Sequence, residues 1–582
     1  MSEAAALNGV SVGRGKGGLS WMWRRDLTAY PSNGPRSWYL TIVVMATVVL
    51  YYELYVGGGV APLILSHYHM SFTFYVYISV IANAVGAFTS LLAGLGDRYG
   101  RANMVVYGLL VTGLLSLLAV PNAGSEWAYA IEIVAIGFVE GIILVATPAL
   151  VRDFSPQLGR ASAMGFWTLG PVVGSLVVAV VANQTLTYWM TWQSQYVICG
   201  IVGLAVFVVA FFGLRELSPK VRGQLMVSMR DLALIEARAK GIDLEAGQRH
   251  PWRQMAHIDV VGSAFGVSVM LLIYYAAVGF FTIYITTNFG FTTAQANGIL
   301  IWDWSVNSGA LIVWGWLSDR LRVRKPFMLV GGCGAIAFII VLLFQTTQTH
   351  TTGYYTLVWQ ISLIAFFLAM AYSTWMASFT ETVESHNPAL MATGLAVWGW
   401  ILRLVVAIST IFLPIVVSSV TPLVQHGAVA TRAQTILKTD PNVGVVLAHP
   451  KLFAELQKYP PTAIPPALLK KAATEVGLPK LQAVAADSKL PGELAFLKAN
   501  ASTIAKVSSA AAKTPGQWQT WFWVCVGGVV AFILLIFTMV GRWDPRKAKA
   551  DQVAHDQAVQ AEMARLATGT PASAPAVGGA GG

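Results

Sequence analysis

Three observations predict an all-α polytopic membrane protein with twelve spanning helices. Only 11% of the 582 residues are charged and 56% are hydrophobic, whereas soluble proteins carry about 25% charged residues. Apolar runs of about 20 residues, the length that crosses a hydrocarbon core about 30 Å thick, recur along the chain. Lys and Arg also collect in alternate loops, as expected when short basic loops are retained in the cytoplasm.

The spans fall at 38–63, 72–94, 103–121, 127–150, 160–182 and 195–214, and then at 259–287, 297–317, 327–346, 354–378, 390–419 and 517–541. Arg98 and Arg101 follow the second span, Arg152 and Arg160 the fourth, and Arg320, Arg322, Arg324 and Lys325 the eighth. The loops 64–71, 122–126, 183–194, 288–296 and 347–353 contain neither Lys nor Arg. Both termini are therefore expected in the cytoplasm, with the chain in a bacterial inner membrane.

The expected organisation is a cytoplasmic segment 1–37, a six-helix bundle 38–214, a basic cytoplasmic linker 215–258 and helices seven to eleven over 259–419. An external insert 420–516, helix twelve at 517–541 and a cytoplasmic tail 542–582 follow. Stretches such as "PKLFAELQKY" make the insert a small helical cap, with an external partner among its expected uses. Cys199, Cys333 and Cys525 all lie in apolar runs and read as buried thiols, not a disulfide framework.

An internal repeat divides the chain. "AGLGDRYGR" (93–101) follows the second span and "GWLSDRLRVRK" (315–325) follows the eighth. Gly165 and Gly170 in span five recur as Gly394 and Gly399 in span eleven. Two duplicated six-helix halves around a central site are the natural reading.

At these residues the chain resembles the major facilitator superfamily, whose loop between spans two and three carries G-x-L-x-D-R-x-G-R-R/K. Leu95, Asp97, Arg98, Gly100 and Arg101 match, while Ala93 replaces the first Gly. The second copy keeps Gly315, Leu317, Asp319 and Arg320, with Arg322 at the later Gly. The resemblance implies that this cluster latches the two halves on the cytoplasmic side. Glu381 and Glu384 of "TETVESHNP" (380–388) are expected to pair with arginines of the other loops and close the inner gate. In span five, Gly170, Pro171 and Gly174 are similar to the family's G-P-x-x-G-G signature, Ser175 replacing the last Gly. The span-four pattern R-x-x-Q-G is not matched, since Gly137 and Glu140 stand at its Arg and Gln.

Few charges lie inside the spans. Away from the span ends, Arg403 is the sole Lys or Arg, and the carboxylates are Glu53, Glu132, Glu140 and Asp303. A charge at the bilayer centre costs about 2.5–3.5 kcal/mol on insertion scales, so each such group points to a partner or a wet cavity. The four carboxylates are the expected proton-coupling groups. The resemblance places spans one, four, seven and ten around the cavity, which puts Glu53 and Glu140 on its wall. Gly57, Gly58 and Gly59 follow Glu53 and allow close packing there. Arg403 does not lose its proton, so it pairs either with a fixed carboxylate or with an anionic substrate. Tyr52, Tyr274, Tyr275, Tyr284, Asn288, Trp359, Gln360 and Trp375 complete the expected substrate site.

Catalytic motifs are missing. There is no Walker A, no H-E-x-x-H and no Cys/His metal spacing, and Gly94, Gly96 and Gly100 are misplaced for a dinucleotide loop. The expected function is proton-coupled secondary transport of a small organic metabolite by alternating access, with symport and antiport both open and an organic anion or carboxylate favoured. The alternative is a proton-driven multidrug efflux antiporter. No cofactor beyond the proton gradient is expected. The expected partners are the substrate, protons and the lipid bilayer, with no nucleic acid and a monomeric chain.

Overall fold

The computed structural model describes residues 22–90, 99–155, 167–222, 253, 255–349, 351–387, 391–460, 464–539 and 543–546, with seven further positions between 550 and 564. The first half is built from α1 (Asn33–Gly59), α2 (Ala61–Tyr68), α3 (Phe72–Ser90), α4 (Arg101–Leu114), α5 (Glu126–Phe154), α6 (Gly170–Thr185) and α7 (Trp192–Gly213). The second contains α8 (Ile258–Met270), α9 (Leu272–Phe289), α10 (Thr293–Leu321), α11 (Lys325–Gln345), α12 (Tyr354–His386) and α13 (Met391–Val416). The insert adds α14 (Val420–Thr439), α15 (Pro441–Ala448), α16 (Pro450–Leu456), α17 (Pro466–Val476), α18 (Leu478–Ala486) and α19 (Leu490–Ala499), and α20 (Ala501–Ile536) closes the bundle.

Local sequence explains the helix ends. Ser125 starts α5 by accepting from the Ala128 N–H, and a reciprocal box between Thr292 and Gln295 starts α10. Gly290, at φ +74°, stops α9 in the left-handed conformation that glycine tolerates best.

Ten of the helices among the described residues are long and apolar enough to cross a membrane. Two of the twelve expected spans fall outside this number. The described part of span five contains the 16-residue α6. α10 has 29 residues but carries Gln295, Asn297, Asp303 and Asn307. The first span breaks at Val60 and continues as α2, and the seventh breaks at Leu271. α4 runs into a π-helical turn at Leu115–Ala119. The helix of span twelve already begins at Ala501, with Pro515 inside it. One feature departs from the all-α expectation: Asp26–Leu27 pair in parallel with Glu216–Leu217, tying the chain start to the end of α7.

The two halves meet toward the end of the bundle that carries the insert. There α1 packs on α9, α6 on α10, and α3 on α13. Asn297 donates to Gly59 O at 2.8 Å and Asn183 to Ala294 O at 2.8 Å, both bonds crossing between the halves. Phe72 and Phe280 meet edge to face at 5.8 Å. The insert has its own small core around Val443, Leu452, Phe453 and Ala472. Its first helix, α14, lies against α2, α3 and α20, and Thr421 accepts from the Phe72 N–H at 3.0 Å. Within it, Asp487 accepts from the Asn442 amide and the Lys489 N–H, which hold its carboxyl below the usual carboxylate range.

Gly58 is the tightest point of this closure, because a Cβ there would run into the Val278 carbonyl of α9. Gly58→Val is therefore expected to wedge the insert end apart. Overpacking costs about 1–3 kcal/mol, which disfavours the closed arrangement about 5- to 150-fold. Spin-label distances between α2 and α9 should lengthen in this variant; unchanged distances would contradict the closure described.

Candidate functional site

Midway along the seam, tyrosines from three helices converge. Tyr51 and Tyr55 lie one turn apart on α1, their rings 5.5 Å apart. Tyr274 and Tyr275 of α9 stand edge to face at 5.2 Å, and Tyr372 of α12 lies within electrostatic reach of Tyr51 and Tyr275. All five are half-buried. The Arg403 side chain is solvent-exposed, and its charge acts on both Tyr51 and Tyr275. The Arg403 charge and these half-buried phenols together form a polar cluster at the seam, of the kind that fixes a small polar ligand.

Glu140 supplies the acid. It is 2% exposed, neither carboxyl oxygen has a hydrogen-bond partner among the described residues, and it lies within reach of Tyr51 and Tyr55. Glu53, 3% exposed and equally unpartnered, turns the other way. Its Oε1 packs on Gly203 of α7, and it lies beside Thr112 of α4, whose hydroxyl is committed to Gly108 O. The expectation that Glu53 lines the central cavity is thus corrected: it sits behind the wall, inside the first half and within reach of Glu140. Glu132 is half-buried near Tyr68, away from the central tyrosines. Asp303 of α10 is 5% exposed and lies within reach of Tyr274.

Several expected binding residues serve elsewhere. Tyr52 points into the first half beside Cys199 and Glu53, a turn of about 100° from Tyr51. Tyr284 shares a 2.8 Å hydrogen bond with Thr346, and Asn288 donates to Thr346 O, so both brace α9 on α11. Trp359 is 45% exposed and meets Phe338, on the outer face of the bundle. Gln360 donates to Gln345 at 3.3 Å. Trp375 is fully buried behind Tyr372, stacked between it and Phe379.

The helix-five signature has a clear packing role. A Cβ at Gly170 would meet Thr47, and one at Gly174 would meet the Tyr51 backbone. These glycines let α6 approach α1 and seat Tyr51, while Pro171 lies in the first turn of α6, where no backbone donor is lost.

At the basic end, the polar pairs among the described residues each stay within one half. Arg101 bonds Asp153 at 2.8 Å, and its backbone N–H donates to Glu216 at 2.8 Å. Arg222 meets Glu216 at 3.2 Å and Asp153 at 3.4 Å. Burial pushes the Glu216 carboxyl up, against the pull of the Arg101 N–H and the Arg222 charge. Gly100 adopts φ +92°, and a side chain there would also collide with Glu216. In the second half Arg324 joins Asp319 at 2.7 Å and Glu381 at 3.1 Å. Arg320 lies over the Trp316 ring, Glu384 is exposed, and His386 meets Asp259 at 2.7 Å. Asp97 and Arg98 lie outside the described residues. The expected pairing of Glu381 with a loop arginine is present, but inside one half, as a bundle closed at its opposite end requires.

Asp153 neutralises two arginines while almost fully buried. Removing one member of such a buried pair costs about 3–5 kcal/mol. Asp153→Asn is expected to lower the thermal midpoint markedly; an unchanged melting curve would show that the cluster holds nothing together.

The model of the Major Facilitator Superfamily matches residues 43–410. The phosphoglycerate transporter protein of Salmonella typhimurium is 19% identical over 284 residues, covering 46% of this chain and 59% of that protein. Sugar phosphate exchanger 3 of Gallus gallus is 22% identical over 282 residues, covering 44% of this chain and 55% of its own length. The chain thus spans little more than half of these relatives.

Among solved structures, a bacterial homologue of the human lysosomal transporter Spinster, inward-facing and unoccupied, superposes with a TM-score of 0.53. It is 15% identical and covers 88% of this chain and 100% of that one. A D-xylose–proton symporter gives 0.51 at 13% identity, over 65% and 89%. At such identities the likeness shows the fold, and the family model settles membership. The chain is a multi-pass membrane protein and belongs to the major facilitator superfamily.

Proposed function

We propose that the chain is a proton-coupled secondary transporter of a small organic anion. The observation that carries the reading is Arg403, exposed and within electrostatic reach of Tyr51 and Tyr275 at the seam of the two halves. A guanidinium offers a forked set of donors suited to a carboxylate or phosphate, and the surrounding phenols supply further hydrogen bonds. The names of the two relatives point the same way, since phosphoglycerate and sugar phosphates are both anions.

Glu140 is the group proposed to carry the driving proton. Ionised at this depth it incurs the insertion cost given above, and a proton removes that cost. Because the halves touch toward the insert end, while the polar pairs among the described residues of the basic end stay within each half, the arrangement is read as open toward the basic loops. In a bacterial inner membrane with those loops in the cytoplasm, this is the inward-open state of an alternating-access cycle. The proton gradient then supplies the energy, without a cofactor.

Ligand-induced thermal stabilisation of the purified chain tests the substrate class. A ligand at one hundred times its Kd adds about 2.7 kcal/mol of stability. Small phosphorylated or carboxylate anions are expected to raise the midpoint in the wild type and not in Arg403→Gln. Stabilisation by lipophilic cations with no response to any anion would overturn the reading in favour of drug efflux.

A further inference from the structure

Asp303 stands apart from the carboxyl already assigned. It belongs to α10 in the second half, whereas Glu140 belongs to α5 in the first. Its carboxyl takes part in no hydrogen bond or ion pair among the described residues. It faces a cavity of about 20 Å³, room for about one water molecule. Tyr274, Trp304 and Asn307 share that cavity with Ile361 and Ile364 of α12. Asn307 follows Asp303 by one turn and is itself buried.

The charges around it are few. From α9, Tyr274 lies within electrostatic reach of Asp303. From α12, Tyr372 acts on Tyr274. The part of α6 that lines the neighbouring cleft contributes Ser175, Val178 and Ala179, none of them acid or base. Arg403 on α13 acts on Tyr51 and Tyr275. An ionised carboxylate so placed, without a cationic partner, carries a desolvation cost of several kcal/mol. A cation must offset it. The cavity offers one carboxyl, one amide and one phenol in an otherwise apolar wall. That is too few oxygens for a hard metal cation, which takes about six. A proton needs only one.

We propose that Asp303 is a second proton-binding site, placed in the half opposite Glu140, with the Tyr274 hydroxyl linking it to the central tyrosines. The proposal deepens the proton-coupling reading and rests on it for its role in transport, but the binding itself is measurable without any substrate. Each half would then own a carboxyl beside the shared tyrosine cluster.

The probe is the proton. Infrared titration of the full chain in lipid vesicles follows the carbonyl stretch of protonated carboxylic acids as pH is raised. The wild type is expected to lose a component that is missing in Asp303→Asn and retained in Glu140→Gln. An alkaline pH jump in weak buffer should release one proton fewer per chain from Asp303→Asn than from the wild type. Asp303→Glu keeps a carboxyl in the cavity and should keep a displaced band, which separates loss of the site from loss of the fold. Identical spectra and equal proton release in wild type and Asp303→Asn would overturn the proposal. A band that responds to added NaCl at fixed pH would overturn it too, by assigning the cavity to a metal cation. If the band is present but no anion accumulates in vesicles, the site stands and the coupling reading falls.

Discussion

Arg403→Gln is expected to weaken binding of the transported anion about 10- to 100-fold while leaving the fold intact. The magnitude follows from losing a hydrogen bond to a charged group, about 1.5–3 kcal/mol, at about 1.4 kcal/mol per tenfold. The side chain is solvent-exposed, so its removal should leave no void in a packed core. Arg403→Lys should recover part of the affinity, because the charge returns without the planar fork. The check is a binding isotherm for the same anion on the three proteins. Equal affinities would return Arg403 to the other role its position allows, a fixed ion pair between helices.

Glu140→Gln is expected to abolish uphill accumulation driven by a pH gradient while preserving exchange of anion for anion. Glutamine matches the shape of a protonated glutamate but binds no proton. The site is nearly sealed at 2% exposure, so little else should change. Counterflow and gradient-driven uptake, measured on the same vesicles, separate the two activities. If both persist, Glu140 is a structural carboxyl. Glu53→Gln is expected to have the smaller effect, because Glu53 faces Gly203 and Thr112, away from the tyrosines.

The fold was legible because lipid leaves a chain few options. Each span must satisfy its own backbone, so apolar length and loop charge read out directly. The paired "GDR" and "SDR" loops exposed the duplication. α10 shows where this reading weakens, since its polar residues serve contacts between halves, as Asn297 does at Gly59.

The site was legible in kind more than in detail. Arg403, Glu140, Tyr274 and Tyr275 stand out in the sequence as polar groups inside spans, and the structure brings them near one another. The facing of α1 was not, because a helix apolar on every side gives no amphipathic signal to orient it. Tyr52 faces Cys199 and Glu53 inside the first half, and Tyr51 and Tyr55 face the seam instead. A signal did exist: Tyr51, Tyr55 and Gly58 are spaced i, i+4, i+7 and form the stripe that meets α9. Tyr284 and Asn288 are polar for a different reason, since both bond Thr346 across the second half. No local pattern announces such a partner 58 or 62 residues away.

The most direct test of the central claim is flux through the reconstituted full chain under an imposed pH gradient. Proteoliposomes would be offered labelled phosphorylated and carboxylate anions, with sugars and lipophilic cations alongside. The account predicts that at least one anion accumulates against its gradient and that a protonophore collapses the accumulation. Uptake indifferent to the gradient, or expulsion of cations with no anion movement, would contradict it.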